Sequence, residues 1–174
     1  MTTIEKISSV IRVVPDFPKK GISFKDITPL LGNSALFAET INLMAAPYKN
    51  AGITKVVGFE ARGFLFAPAI AVALGAGVVP IRKKGKLPYE TIAVTYQLEY
   101  GSDTIEMHAD ALTPTDKILL VDDVLATGGT AAAGLELCRK LGPQIVGAAF
   151  LGELAFLKGR KKLPGVEISC LLQF

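Results

Sequence analysis

Residues 118–134 read ILLVDDVLATGGTAAAG. Ile118 to Val121 form an unbroken apolar run, which is the pattern of a strand buried on both faces in a parallel sheet. Asp122 and Asp123 follow, then the small, flexible run Ala126-Thr127-Gly128-Gly129-Thr130. Good helix formers occupy Ala131 to Leu141. Gly142 and Pro143 stop that helix. The stretch therefore reads as a strand that ends, a sharp turn, and a helix that opens with free N–H groups. Glycines let the backbone approach an anion, and a helix N-terminus favours negative charge, so the turn is a phosphate cradle. Thr127 and Thr130 add hydroxyl donors. Asp122 and Asp123 repel phosphate but suit hydroxyls or a metal ion beside it. The implied ligand carries a phosphate at one end and a diol nearby. The P-loop is excluded, because no Gly-x-x-x-x-Gly-Lys-Ser/Thr occurs. The plainer alternative is an ordinary strand–turn–helix with a glycine-rich turn.

The same alternation recurs on either side. Ile53 to Phe59 is a strand that runs into Glu60-Ala61-Arg62-Gly63, followed by a helix from Phe64 to about Leu74. Val78 to Ile81 is a third strand, ending in Arg82-Lys83-Lys84-Gly85-Lys86. Gln144–Leu151 and Val166–Leu172 are further strands. Repeated strand–helix alternation predicts an α/β fold with a parallel sheet. In such sheets ligands bind outside the carboxyl ends of the strands. The loops there are 60–63, 82–86 and 122–130. One is acidic and glycine-rich and two are basic, as a sugar carrying a phosphate and a pyrophosphate would require.

Residues 91–109 break the pattern. Strict alternation on both sides of Gly101-Ser102-Asp103 predicts a β-hairpin that projects as a flap. At the N-terminus, Ile4, Ile7, Val10 and Ile11 predict an amphipathic helix over 3–12. Pro15 to Gly21 is turn-rich. The interrupted alternation of 22–29 reads as an irregular surface segment. Asn33 or Ser34 caps a helix carrying Phe37, Ile41, Met44 and Tyr48, which Pro47 ends early. The basic run 158–162 reads as a solvated turn, and His108, the one histidine, as a structural strand residue.

The 174 residues suffice for a single domain over 1–174 with its own core. A net charge of +3 argues against general nucleic-acid binding. The uncharged run from Gly63 to Ile81 is broken by Pro68, Gly75, Gly77 and Pro80, so no membrane span is expected. No secretory signal is recognisable at Met1. Cys138 and Cys170 have neither metal nor CxxC spacing and read as buried free thiols, which fits a cytoplasmic location. Half the residues are hydrophobic, a surplus that suits a subunit interface.

The cradle resembles the signature of the type I phosphoribosyltransferases, which bind phosphoribosyl pyrophosphate (PRPP). Within them the match narrows to the adenine-specific branch and covers nearly the whole chain. The matching stretches are PDFPKKGISFKDITPLL (15–31), GFEARGFLFAPAIA (58–71), RKKGKLP (82–88), YQLEYG (96–101) and LLVDDVLATGGT (119–130). The resemblance implies the type I phosphoribosyltransferase fold: a central parallel sheet flanked by helices, a projecting hairpin flap and a small N-terminal hood. It implies that adenine and PRPP give AMP and pyrophosphate, with Mg²⁺ on the pyrophosphate, in a homodimer. Carried over by residue, Ala126, Thr127, Gly128, Gly129 and Thr130 hold the 5′-phosphate, and Asp122 and Asp123 face the ribose hydroxyls. Glu60, Ala61, Arg62, Arg82, Lys83 and Lys86 serve the pyrophosphate, Arg62 as a catalytic group and Arg82 partly across the dimer. Ser23, Phe24 and Lys25 read adenine through the backbone, with Phe24 stacked on the ring. Glu99 stands near the base as proton acceptor or hydrogen-bond partner, with Tyr100 a neighbouring aromatic. Strict alternation would turn those two to opposite faces. Mg²⁺ is held mainly through PRPP, with Asp122 or Asp123 reaching it through water. A cis peptide is expected at Glu60–Ala61, where relatives often have Asp-Ser. Two alternatives remain: a transferase for xanthine or hypoxanthine, and a PRPP-sensing regulator without catalysis. The regulators carry an additional DNA-binding domain ahead of the base-reading segment.

Overall fold

In the computed structural model, which describes residues 1–98 and 101–174, the chain divides into two units, Met1–Leu43 and Met44–Phe174. The first opens with α1 (Thr3–Val10). The Thr2 hydroxyl accepts from the Glu5 N–H at 3.2 Å, and the Glu5 carboxylate accepts from the Thr2 N–H at 2.6 Å. This reciprocal cap satisfies two N–H groups that the helix itself cannot. Next, β1 (Arg12–Val14) pairs antiparallel with β2 (Phe24–Asp26). Segment 22–29 is thus partly a strand, not an irregular surface stretch. Its partner lies ten residues away, so local alternation could not reveal it. An ion pair from Arg12 to Asp26 at 3.4 Å and an edge-on contact of Phe17 with Phe24 at 5.1 Å hold the ribbon. After α2 (Thr28–Leu31) comes α3 (Ser34–Ala45). Of the two candidate caps, Asn33 does the work: its side-chain oxygen accepts from the Leu36 N–H at 3.1 Å. Pro47 ends α3 in a 3-10 turn over Ala46–Tyr48, as expected.

The second unit is built on seven strands: β3 (Lys55–Phe59), β4 (Gly77–Lys83), β5 (Thr91–Gln97), β6 (Ser102–His108), β7 (Lys117–Leu125), β8 (Gln144–Glu153) and β9 (Ile168–Gln173). Their order is β5-β6-β4-β3-β7-β8-β9. The five strands from β4 to β9 are mutually parallel, whereas β5 and β6 run antiparallel at one edge. The sheet is therefore mostly, not wholly, parallel. The predicted hairpin joins it along the middle of β6, where Arg82 faces Glu106, Lys83 faces Ile105 and the Lys84 N–H donates to the Thr104 carbonyl at 3.2 Å. From β3 the chain moves to β4 on one side and later returns to β7 on the other. A crevice at the carboxyl ends of β3 and β7 is where such a reversal places a ligand.

Two helices cover the sheet. A 3-10 turn at Arg62–Leu65 precedes α4 (Ala67–Leu74), so that helix starts later than Phe64, with Pro68 in its first turn. The cradle helix is α5 (Gly129–Leu141). A Cβ at Gly58 would sit 2.6 Å from the Ala67 Cβ of α4, and one at Gly134 of α5 would sit 2.3 Å from the Phe59 ring. Gly58 and Phe59 are neighbours on β3 and face opposite ways, so α4 and α5 lie on opposite faces. Ile118 to Val121 are at most 1% exposed, as a strand covered on both faces requires.

Gly134 makes one packing prediction. Ala in place of Gly favours a helix by about 1 kcal/mol. Against that, a methyl group driven into a buried ring costs about 1–3 kcal/mol. The clash should win, so Gly134→Ala is expected to lower the thermal midpoint by roughly 2–8 °C in a melting experiment.

Candidate active site

The acids of the central motif do not follow a strand; they lie in it. β7 continues through Asp122 to Leu125 because β8 runs alongside, with Asp122 in register with Phe150 and Val124 with Gly152. Asp122 lines a cavity of about 80 Å³ whose remaining wall includes Ala126 to Thr130. Asp123 is only 4% exposed and meets Arg62, Nε to Oδ2, at 2.8 Å. Arg62 reaches it from the 3-10 turn after β3. The Asp122 carboxylate accepts the Asp123 N–H at 2.8 Å. Burial pushes the Asp122 carboxyl well above the usual range, and the neighbouring Asp123 charge adds to this. Burial also raises Asp123, although Arg62 pulls it back. Two desolvated carboxylates favour whatever donates to them, whether hydroxyl or cation.

The cradle's curvature comes from Gly128, at φ 79°, immediately before α5. The first N–H groups of α5 then have no acceptor within the helix. Gly128 and Gly159 are nested: a Cβ on Gly128 would lie 2.4 Å from the Gly159 carbonyl oxygen, and one on Gly159 would lie 2.3 Å from that of Ala126. The basic run 158–162 is thus not simply a solvated turn, since it backs the loop 126–130. Arg160 anchors it by pairing with Glu153 at 2.5 Å and donating to the Ile168 carbonyl at 3.2 Å. Glu153, 5% exposed, also accepts from Gln173 at 3.1 Å. A buried acid needs such partners, and a run of basic residues does not advertise one.

On the other wall, Tyr96 of β5 lays its ring 3.5 Å from the Cβ position of Gly129, with its hydroxyl 3.0 Å from Thr130 Oγ1. Neither Tyr96 nor Gly159 was singled out from sequence, because both act across the fold. In the basic loop, Arg82 forks onto Glu60, with two hydrogen bonds of 3.1 Å. Glu60 also accepts the Lys83 N–H at 3.0 Å. Arg82 thereby holds the Glu60 carboxyl below its ordinary range. The Arg82 guanidinium donates to the Lys86 carbonyl at 3.2 Å. The Glu60–Ala61 bond is cis, as expected, and Phe17–Pro18 is cis as well.

The second unit thus brings together the cradle, the two acids, Arg62 and the basic loop. Ser23, Phe24 and Lys25 belong to the first unit, in and beside β2. The expectations for Glu99 and Tyr100 lie outside the described residues. Both cysteines are free; burial pushes each thiol up to about 12. Cys138 is buried as expected, but Cys170 is only partly so. His108 closes β6 and meets Tyr89 edge-on at 6.1 Å. Among the described residues no group of three or more His, Cys, Asp or Glu side chains could hold a metal. No described helix is long and apolar enough to cross a membrane.

Comparison with known proteins identifies the domain and its family. The phosphoribosyl transferase domain model matches residues 26–164. The adenine phosphoribosyltransferase of Geobacter metallireducens is 54% identical over 98% of this chain and 100% of its own. The crystal structure of adenine phosphoribosyltransferase from Rhodothermus marinus superposes with a TM-score of 0.94 at 53% identity, covering 99% of this chain and 98% of that one. The Saccharomyces cerevisiae enzyme, crystallised with an imino-altritol bisphosphate and adenine, superposes at 0.92 with 40% identity, covering 98% of each chain. A full-length match at this identity leaves one assignment: the chain belongs to the adenine phosphoribosyltransferase family, with the type I phosphoribosyltransferase fold.

Proposed function

We propose that this chain, acting as one phosphoribosyltransferase domain, transfers the 5-phosphoribosyl group of PRPP to N9 of adenine, giving AMP and pyrophosphate in purine salvage. The observation that carries the reading is the cavity at 126–130, lined by Asp122 and neighboured by buried Asp123, which is tied to Arg62. A phosphate and a diol on one sugar match that pairing. The 5′-phosphate sits on Ala126 to Thr130, held by helix N–H groups and threonine hydroxyls. The ribose hydroxyls donate to Asp122 and Asp123. The C1′–O bond breaks, positive charge gathers on the ribose ring, and N9 attacks. Arg62, Arg82, Lys83 and Lys86 balance the departing charge. Glu60 and Ala61 meet the pyrophosphate through their backbone, since the Glu60 carboxylate is engaged by Arg82. Ser23, Phe24 and Lys25 read the base. Glu99 accepts the N9 proton or hydrogen-bonds the base, with Tyr100 a neighbouring aromatic.

Mg²⁺ fits this donor set as an oxygen-coordinated ion carried mainly by PRPP, with Asp122 or Asp123 reaching it through water. When bound it neutralises the pyrophosphate oxygens. The chain is read as a homodimer: Val72 and Phe156 stand 83% and 71% exposed, which a partner subunit would cover. Free thiols and modest charge suit the cytoplasm.

The test is AMP formation from adenine, PRPP and Mg²⁺, with Glu99→Gln and the double variant Asp122→Asn/Asp123→Asn alongside. Wild type is expected to make AMP, and both variants to lose about tenfold or more of the rate. Phosphoribosylation of xanthine or hypoxanthine in preference to adenine would overturn the base assignment. PRPP binding without any transfer would point to a sensor.

A further inference from the structure

Lys83 closes β4 and enters the basic loop, yet its ammonium is already engaged. It is paired with the Asp103 carboxylate on β6, Nζ donating to Oδ2. The two meet because β6 runs beside β4, with Lys83 opposite Ile105. Other contacts fix the carboxylate in place. Its Oδ1 accepts the Thr104 N–H at 2.9 Å, and its Oδ2 accepts the Tyr96 hydroxyl at 3.3 Å. Tyr96 is the residue that packs on Gly129 and touches Thr130. One acid therefore ties the basic loop, the hairpin and the phosphate loop together. The Lys83 hydrogen bond holds Asp103 below the ordinary carboxyl range, so it is charged at neutral pH.

We propose that Asp103 is a positioning residue that holds Lys83 back from the place to which a leaving pyrophosphate would draw it, and so competes with pyrophosphate for that ammonium. The inference rests on the assignment of Lys83 to the pyrophosphate site. Lysine offers one compact charge, not a fork that two anions can share in fixed geometry. An arriving pyrophosphate must draw Lys83 off Asp103 or accept a negative neighbour. Either way its binding is weakened. A limited hold suits the reaction, because release of a tightly held product can limit turnover.

The experiment is calorimetric titration of magnesium pyrophosphate into the full-length protein at fixed ionic strength. Wild type is compared with Asp103→Asn, Asp103→Glu, Lys83→Ala and the double variant Lys83→Ala/Asp103→Asn. Asp103→Asn is expected to bind about threefold more tightly, the size of a part-exposed ion pair. Asp103→Glu keeps the charge and should remain near wild type. Lys83→Ala should bind about threefold more weakly, and the double variant should match it. If Lys83→Ala weakens binding but Asp103→Asn does not tighten it, the proposal falls and the Lys83 assignment stands. If Lys83→Ala changes nothing, that assignment falls and takes the proposal with it. Equal tightening by Asp103→Asn in the Lys83→Ala background would mean a diffuse field effect, and would also overturn the proposal. Melting curves check that each variant is folded. Should Asp103→Asn not fold, Asp103→Ser carries the same comparison.

Discussion

Replacing Arg62 by alanine is expected to lower kcat/KM for PRPP by about 10²–10³-fold, the loss seen when a preorganised charge at a developing anion is removed. Two effects combine. On the proposed assignment the leaving pyrophosphate loses a fixed cation, and Asp123 loses its ion-pair partner at 2.8 Å. Arg62 is about one-third exposed, so solvent screens the pair and the stability cost stays near 1 kcal/mol or below. The kinetic loss should therefore far exceed the shift in thermal midpoint. Arg62→Lys restores a charge but not the planar fork, and should recover only part of the rate. The pH profile supplies an independent check. Arg62 favours the ionised form of Asp123, against the burial that raises its pKa. Without Arg62 that pKa rises further. Activity that needs the carboxylate is lost as pH falls through it, so the acid limb should move to higher pH. An Arg62→Ala enzyme within fivefold of wild type, with an unmoved acid limb, would remove Arg62 from the catalytic assignment.

The parts of this site that were legible in sequence share a physical property. Ile118 to Val121 announced a buried strand because coverage on both faces leaves no polar position. Gly128, Gly129 and the threonines announced a sharp turn into a helix, because a strand that reverses there needs small residues in one local run, and that turn is found before α5. What was hidden depends on partners distant in the chain. Asp122 and Asp123 look like the end of a strand, but the ladder to β8 carries the strand past them. Segment 22–29 needs β1 to become a strand. Glu60 looked like part of an anion site, yet its carboxylate is taken up by Arg82, 22 residues on. The 158–162 run looked solvated because four of its five residues are basic; Gly159, the exception, is what packs against the cradle. Composition registers the charge of such a run, but not a backbone atom's need for room.

That need for room makes Gly128→Ala the second large effect. At φ 79° an alanine costs about 1–2 kcal/mol wherever it stands. Gly165, at φ 74° with nothing within 4 Å of its Cβ position, isolates this term. Gly165→Ala should therefore lose a few degrees of thermal stability and leave kinetics unchanged. At Gly128 the new methyl also meets the Gly159 carbonyl oxygen at 2.4 Å and the Gly159 Cα at 3.1 Å. Both are backbone atoms, and Arg160 next to them is clamped to a buried acid, so the strut cannot swing away. The loop must move instead, and it is the wall of the cavity beside Asp122, where the 5′-phosphate is proposed to sit. A displacement on the order of 1 Å at a positioning element costs about 10²-fold. Steady-state kinetics should show kcat/KM for PRPP falling by roughly that factor in Gly128→Ala, with KM for PRPP carrying most of it. A Gly128→Ala enzyme that behaved like Gly165→Ala would mean that the loop tolerates displacement, and that the 5′-phosphate is held elsewhere.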